Sequence, residues 1–485
     1  MIHLAHWAIH NNPSVLSSRS DSESSQRSRD AAWQQFLPTP SISMDKADQP
    51  SRTALNQKTT IVRLQQPLWQ GGRLSAAADQ ADAAARSSHF SWLAQAQFTL
   101  EQLIQTVTRH RQSRHRADSL ANSVSTHERL LAQVRRRVAE GLSPPSDLTV
   151  AESRLLNVRA ELETARSDIR QQELQLQRLL ARRLEPAEEA ALRQLAMPPV
   201  TTLSMIERSE DAMAQTASQQ PRVLKLETDR EQIGHRIRIL KANRLPQLSL
   251  RLDRIQGDVT GVDHTAVLSL NTSWGAGLSN EREIEALELR GQAIELDRLA
   301  EWQEVQRRLA SLQQDIQMQS QRHIHLLTAQ NRAEAFLLST ERLYLTGRKA
   351  WLEVLNAARE VTASQTAASD ALLQIWSNTE LLRLIETGPL AYAAPGTSTD
   401  KPNDAPDLTA NVTGNVTGNV TGNVTANVTA NVTANVTADV TANVTADVTA
   451  NNTPDTNADT NRDNLQTDIT LENNSHTAEA RHAEQ

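Results

Sequence analysis

Two stretches of the chain, residues 73–138 and 279–345, contain no proline, and Gly291 is their single glycine. At ~1.5 Å per residue, a helix of that length spans about 100 Å. Two such rods cannot fold around one globular core, so they must bury their apolar residues along each other. The composition agrees. Only 8 Trp, 2 Tyr and 4 Phe occur in 485 residues, and 22% of the chain is charged. At ~150 residues per domain the length alone would suggest about three globular domains. So few bulky residues suit long helices joined by narrow apolar seams instead.

The flanking sequence marks those seams. Leu120, Val124, His127, Leu131, Val134 and Val138 step by four and three. Leu148, Ala151, Leu155, Val158, Leu162, Ala165 and Ile169 continue the beat beyond a short loop, and Val354, Ala358, Val361, Gln365, Ala368, Leu372 and Ile375 repeat it. An apolar position every ~3.5 residues on both sides of a loop predicts an antiparallel coiled-coil hairpin. Gln365 and His127 are polar interruptions of the seam. In the first loop, Gly141 suits a helix C-cap, Pro144-Pro145 block continuation, and Ser146 or Asp147 is expected to cap the next helix.

The chain also repeats itself. Asn12-Pro13 and Gln220-Pro221 each open a helical segment that ends at Pro38 or Pro246, an offset of 208 in both pairs. Short alternating stretches follow each proline, expected as strands at about 39–45 and 58–68, then at about 247–253 and 264–274. The second stretch of each copy ends at a Trp–Gly element, Trp69-Gln70-Gly71-Gly72 or Trp274-Gly275-Ala276-Gly277. Gly141 and Gly347 follow at an offset of 206, each with an acid six residues on (Asp147, Glu353) and an alanine ten residues on (Ala151, Ala357). These landmarks predict two tandem units, 1–218 and 219–388, with tip loops at 139–147 and 345–353.

Residues 389–485 read as a disordered tail. Within it, 411–450 are ten four-residue units of the type Asn-Val-Thr-Gly or Asn-Val-Thr-Ala, with Asp439 and Asp447 replacing Asn. Such a composition buries too little apolar surface to offset ordering entropy.

Several function classes fall away. With no cysteine there is no thiol chemistry, disulfide framework or Cys-held metal. A net charge of -7 leaves no nucleic-acid footprint. Arg109-His110-Arg111, Arg114-His115-Arg116 and Arg135-Arg136-Arg137 have acids nearby and no interleaved aromatics, so they read as solvated helix faces. His323 and His325, two apart, point to different sides of a helix and suit no metal. No nucleophile–base pair or phosphate loop is present, and neither an enzyme activity, a cofactor nor a metal is expected.

Four short strands at the end of ~100 Å helices have nothing large to pack on, and a lone hairpin is marginal in water. They must close against strands of other chains or enter lipid. A closed barrel satisfies every strand edge, as spanning a membrane requires.

Two tandem copies of helix, hairpin and long helices, together with Gly141-Leu142…Asp147-Leu148…Ala151 and Gly347-Arg348…Glu353-Val354-Leu355-Asn356-Ala357 at the tips, resemble the TolC family of outer-membrane efflux and secretion channels. Leu37-Pro38, Leu245-Pro246 and Pro67-Leu68-Trp69-Gln70-Gly71-Gly72-Arg73 fit too, and the second tip is most like the type I secretion members. The resemblance covers about residues 4–386. It implies a mainly α-helical chain whose homotrimer builds a twelve-stranded outer-membrane barrel on a periplasmic helical tunnel.

It also implies a passive conduit, opened at its tips by a periplasmic adaptor protein and an inner-membrane transporter. By position, Gly141, Leu142, Asp147, Gly347, Arg348 and Glu353 are the docking candidates. Asp147 and Glu353 could equally serve only the dipoles of the helices they begin. Trp69 and Trp274 are either membrane-interface anchors or packing residues at a strand–helix junction. Such a channel must be exported, yet the first 30 residues lack an apolar signal segment, so a truncated or processed start is expected. The rival reading is a soluble coiled-coil scaffold without a transport role.

Overall fold

The computed structural model describes residues 1–47, 57–193, 208–257, 261–272 and 279–394. Two short N-terminal helices, α1 (Ile2–Asn11) and α2 (Pro13–Gln34), lead into strands β1 (Thr39–Ala47) and β2 (Gln57–Trp69). The long helix α3 (Arg73–Ala139) and its partner α4 (Pro145–Leu180) follow, then α5 (Pro186–Arg193) and α6 (Glu210–Ser218). The order then recurs as α7 (Pro221–Ala242), β3 (Gln247–Gly257), β4 (Gly261–Asn271), α8 (Ser279–Leu345) and α9 (Trp351–Thr387).

A short helix α10 (Pro389–Tyr392) closes the described chain. Residues 389–394, assigned to the tail on composition, are therefore folded here. Gly388 at φ +76° ends α9, Pro389 restarts the chain, and the buried Tyr392 hydroxyl donates to Glu380 at 2.7 Å. The Asn-Val-Thr repeats lie outside the described residues.

Helices α3 and α8 each span 67 residues. α3 packs along α4, α2, α7 and α9, and α8 packs along α9 and α7. Their apolar contacts form three clusters. The largest lies where α1 and the ends of α4 and α9 cross the middle of α3 and α8, and includes Leu100, Leu103, Ile104, Leu176, Leu180, Leu309, Ile375 and Leu384. Each fully buried Leu or Ile contributes roughly 1.5–3 kcal/mol of burial. Ala117, Leu120, Leu162 and Ala165 hold α3 to α4 farther along. The third cluster sits under the tips. Among the described residues no helix is long and apolar enough to cross a membrane.

The strands form one antiparallel sheet in the order β1-β2-β3-β4, so β2 and β3 join the two repeats and β1 and β4 are its edges. Residues directly opposite one another share a face. Ile42 faces Val62, Leu64 faces Leu252, Leu250 faces Leu268 and Leu248 faces Leu270. The other face carries Ser41, Arg63, Asp253 and Thr265 in one row. Asp253 is buried there and accepts from Arg63 at 2.9 and 3.2 Å, with Arg251 at 3.1 Å.

Candidate functional site

Both tips are built by the same local geometry. At the end of α3, Gly141 takes φ +73°, its N–H donates to the Val138 carbonyl at 3.0 Å, and the Leu142 N–H donates to Arg137 at 2.8 Å. At the end of α8, Gly347 takes φ +76°, with matching bonds from Gly347 to Tyr344 and from Arg348 to Leu343, each 2.9 Å. This is the Schellman closure, which uses a left-handed residue to satisfy the last helical carbonyls. Glycine adopts that conformation without the Cβ penalty.

The start of α4 differs from the sequence expectation. Neither Ser146 nor Asp147 caps the helix; Pro144 occupies the cap position and Pro145 is the first helical residue. Proline's fixed φ and missing N–H suit that first position, and the second proline leaves no room for a side-chain cap before it. Asp147 and Glu353 sit in the first turns of α4 and α9, where a carboxylate complements the helix dipole by ~0.3–1 kcal/mol. The Lys349 ammonium lies 2.5 Å from Glu353.

The structure brings the two tips together at one end of the chain. Leu130, Val134, Ala151, Val354, Leu355 and Ala358 pack beneath them with Tyr344 and Trp351, whose rings lie 5.4 Å apart. Arg137 from the first tip stacks over the Tyr344 ring at 4.9 Å and donates to the Leu345 carbonyl at 3.4 Å. Arg129 adds a bidentate pair to Glu341 at 2.8 and 3.2 Å. The end surface exposes Leu142, Leu345 and Leu352 beside Gly141, Gly347 and Arg348. The sequence pattern assigns Tyr344 and Trp351 no packing role, and its charges place Arg137 on a solvated surface. The available signal was aromatic scarcity, since two of 14 aromatics flank Gly347.

The polar seam residues are both bonded. Gln365 donates across to Glu334 of α8 at 3.0 Å, and His127 donates to the Ser123 carbonyl of its own helix at 2.8 Å. Farther along α3, His110 is buried with Glu173 at 3.6 Å, and neither ring nitrogen has a hydrogen-bond partner among the described residues. Burial and then the nearby Arg114 lower its pKa, more than Glu173 and Glu189 raise it.

At the other end, the sheet register decides which way Trp69 points. Pro67 faces Ser249 and Trp69 faces Leu248, so Leu68 is an extra residue in β2. Such a bulge reverses the in–out alternation beyond it. Trp69 therefore joins the apolar row of Leu248 and Leu270 rather than the Arg63–Asp253 face. Ile42, Met44, Leu268 and Leu270 on that apolar face are exposed, Ile42 and Met44 by 73% each. Trp274 lies outside the described residues. Among the described residues no group of three or more His, Asp or Glu could hold a metal.

Residues 4–182 match the outer membrane efflux protein family. The fold is shared with solved outer-membrane channels. CusC superposes with a TM-score of 0.68 at 15% identity, covering 79% of this chain and 91% of that one. VceC of Vibrio cholerae gives 0.65 at 15% identity, covering 81% and 95%. The open state of the MtrE outer membrane channel of Neisseria gonorrhoeae gives 0.64 at 17%, covering 82% and 90%. No curated protein sequence matches. The chain thus shares the fold of these channel structures over about four fifths of its length.

Proposed function

We propose that this chain is the outer-membrane channel of a tripartite export system, acting as a homotrimer that is itself passive. The observation that carries the reading is the sheet. Its strands are 9, 13, 11 and 11 residues long, against the ~9–11 needed to cross a bilayer at a tilt. One face carries the exposed row of Ile42, Val62, Leu64, Leu252, Leu268 and Leu270, with Arg254 and His264 toward the β3–β4 turn. The other holds Asp253 buried between the partly exposed Arg63 and Arg251, and β1 and β4 are the edges of the sheet. Three copies pairing β4 to β1 would close a twelve-stranded barrel with lipid outside and water within.

The helices would then extend as a periplasmic tunnel whose far end is the paired tips. Gly141, Leu142, Asp147, Gly347, Arg348 and Glu353 share that end with three exposed leucines, a surface suited to a periplasmic adaptor protein. An inner-membrane transporter would supply the energy. Opening would separate α3–α4 from α8–α9 around the Arg137–Tyr344 contact. The second tip's likeness to type I secretion members makes a secreted polypeptide one cargo class; small-molecule efflux is the other.

The experiment is fractionation of cells producing the chain, with gel analysis of unheated outer-membrane vesicles. A detergent-resistant trimer in that fraction is the expected result, and a soluble dimer would establish the scaffold reading instead. Bulky residues at Gly141 and Gly347 should abolish export while the trimer still forms. The transporter that co-purifies separates the two cargo classes.

A further inference from the structure

The face of α1 presents His3, His6 and His10 at spacings of three and four, which on an α-helix places successive residues one turn apart on the same side. The His6 and His10 rings lie side by side, with centroids 4.2 Å apart and planes 25° from parallel. His10 Nδ1 is 2.8 Å from the His6 carbonyl oxygen. A carbonyl can only accept, so Nδ1 carries the proton and the Nε2 lone pair of His10 is left free. His3 is fixed in a similar way. Its Nδ1 lies 3.1 Å from Glu188, a carboxylate also held by Arg182 at 2.7 and 2.9 Å. Burial pushes Glu188 up, but the hydrogen bonds from Arg182 and the Glu185 amide outweigh it and keep the carboxyl below its ordinary range. His3 therefore donates from Nδ1 as well.

His10 is exposed and its Nδ1–H is held by a carbonyl, the arrangement that orients imidazole as a metal ligand, and the partly exposed His6 ring lies beside it. Two histidines at i and i+4 on one helix face are a recurring bidentate donor set. We propose that His6 and His10 form a surface site for a borderline divalent cation, with water completing the shell. Both imidazoles would bind through Nε2 at ~2.0–2.1 Å after small side-chain rotations. Neutral imidazoles of this kind suit zinc, nickel and copper(II), with copper(II) bound most tightly and magnesium and calcium excluded. The site is independent of the tips and of the barrel.

Zinc, added to the full-length purified protein and followed by titration calorimetry, tests the site. Copper(II) electron paramagnetic resonance then counts the imidazoles. The wild type should bind one zinc per chain at this site, and its copper spectrum should show two equivalent nitrogens. His6→Gln or His10→Gln should each weaken zinc binding at least about tenfold and leave a single-nitrogen spectrum. His3→Gln should keep the two-nitrogen signature. Circular dichroism of each variant checks that α1 is intact, and His10→Phe provides a second variant if His10→Gln frays it. Zinc affinity and copper spectrum unchanged in the His6→Gln/His10→Gln double variant would overturn the proposal, as would a zinc titration showing no saturable site.

Discussion

The turn from β2 into α3 offers a sharp test of how the sheet is fixed to the helices. Gly71 and Gly72 both have positive φ, +59° and +83°. A methyl group on either meets the left-handed penalty, about 1–2 kcal/mol for an L-residue. Their surroundings differ. A Cβ on Gly71 would lie 2.8 Å from the Leu245 Cβ, 3.0 Å from its Cδ1 and 3.3 Å from the Ala242 carbonyl oxygen. A Cβ on Gly72 would meet only Ser75 Oγ, at 3.8 Å. Forcing an extra carbon into a filled position costs a further ~1–3 kcal/mol. Gly71→Ala should therefore destabilise by about 2–5 kcal/mol and Gly72→Ala by about 1–2 kcal/mol. The assay is denaturant unfolding of the purified protein, followed by helix signal. Leu245→Ala removes the Cδ1 contact but keeps the Cβ, so it should rescue Gly71→Ala only in part. Equal effects at Gly71 and Gly72, or a full rescue, would refute the reasoning.

Other expectations follow from the same geometry. Burial holds the His110 pKa below its ordinary value in the folded chain, so the unfolded chain binds more protons from that lowered folded pKa up to pH ~6.5; stability should fall as pH drops below about 6.5 and be fully present above it. His110→Leu should flatten the slope, which thermal melts across that range would show. Arg137→Ala removes the stack on Tyr344, worth about 1 kcal/mol, and should speed amide exchange around residues 343–348 while the exchange of α9 is unchanged. If Trp69 sits at headgroup depth, lipids brominated near the headgroup should quench less of the tryptophan emission in Trp69→Phe than in the wild type; equal quenching would place the ring elsewhere.

The long helices were legible because one kind of signal ran uninterrupted. Proline-free stretches and a 3.5-residue beat locate α3, α4, α8 and α9, and residues such as Ala151, Leu162 and Ala368 are buried as the seam required. The tips were legible through glycine, since a Schellman closure needs a left-handed residue at one defined place. What surrounds the glycines was not legible. The stacking of Arg137 on Tyr344 joins residues more than 200 apart, and no local pattern in either hairpin encodes it. Helix capping failed for a related reason: a Pro-Pro pair settled the start of α4 before any serine or aspartate could. The orientation of Trp69 depended on one unpaired residue, Leu68, which alternation in a single strand does not reveal.

With only 14 aromatics in the chain, the side of the sheet that Trp69 takes matters. Strict alternation along β2 from Val62 and Leu64 would turn Trp69 toward the Arg63–Asp253 face, away from Leu248 and Leu270. The extra residue at Leu68 turns it to the apolar face at the end of the strand, immediately before the Gly71–Gly72 turn packs on Leu245. Bulge and turn thus work as one device. One sets which side of the sheet the indole takes, and the other sets where the helix leaves. Deleting Leu68 should therefore be more harmful than replacing it. Deletion would carry Trp69 to the Arg63–Asp253 face and shift the Gly71 contact, whereas Leu68→Ala keeps the register and should leave both in place.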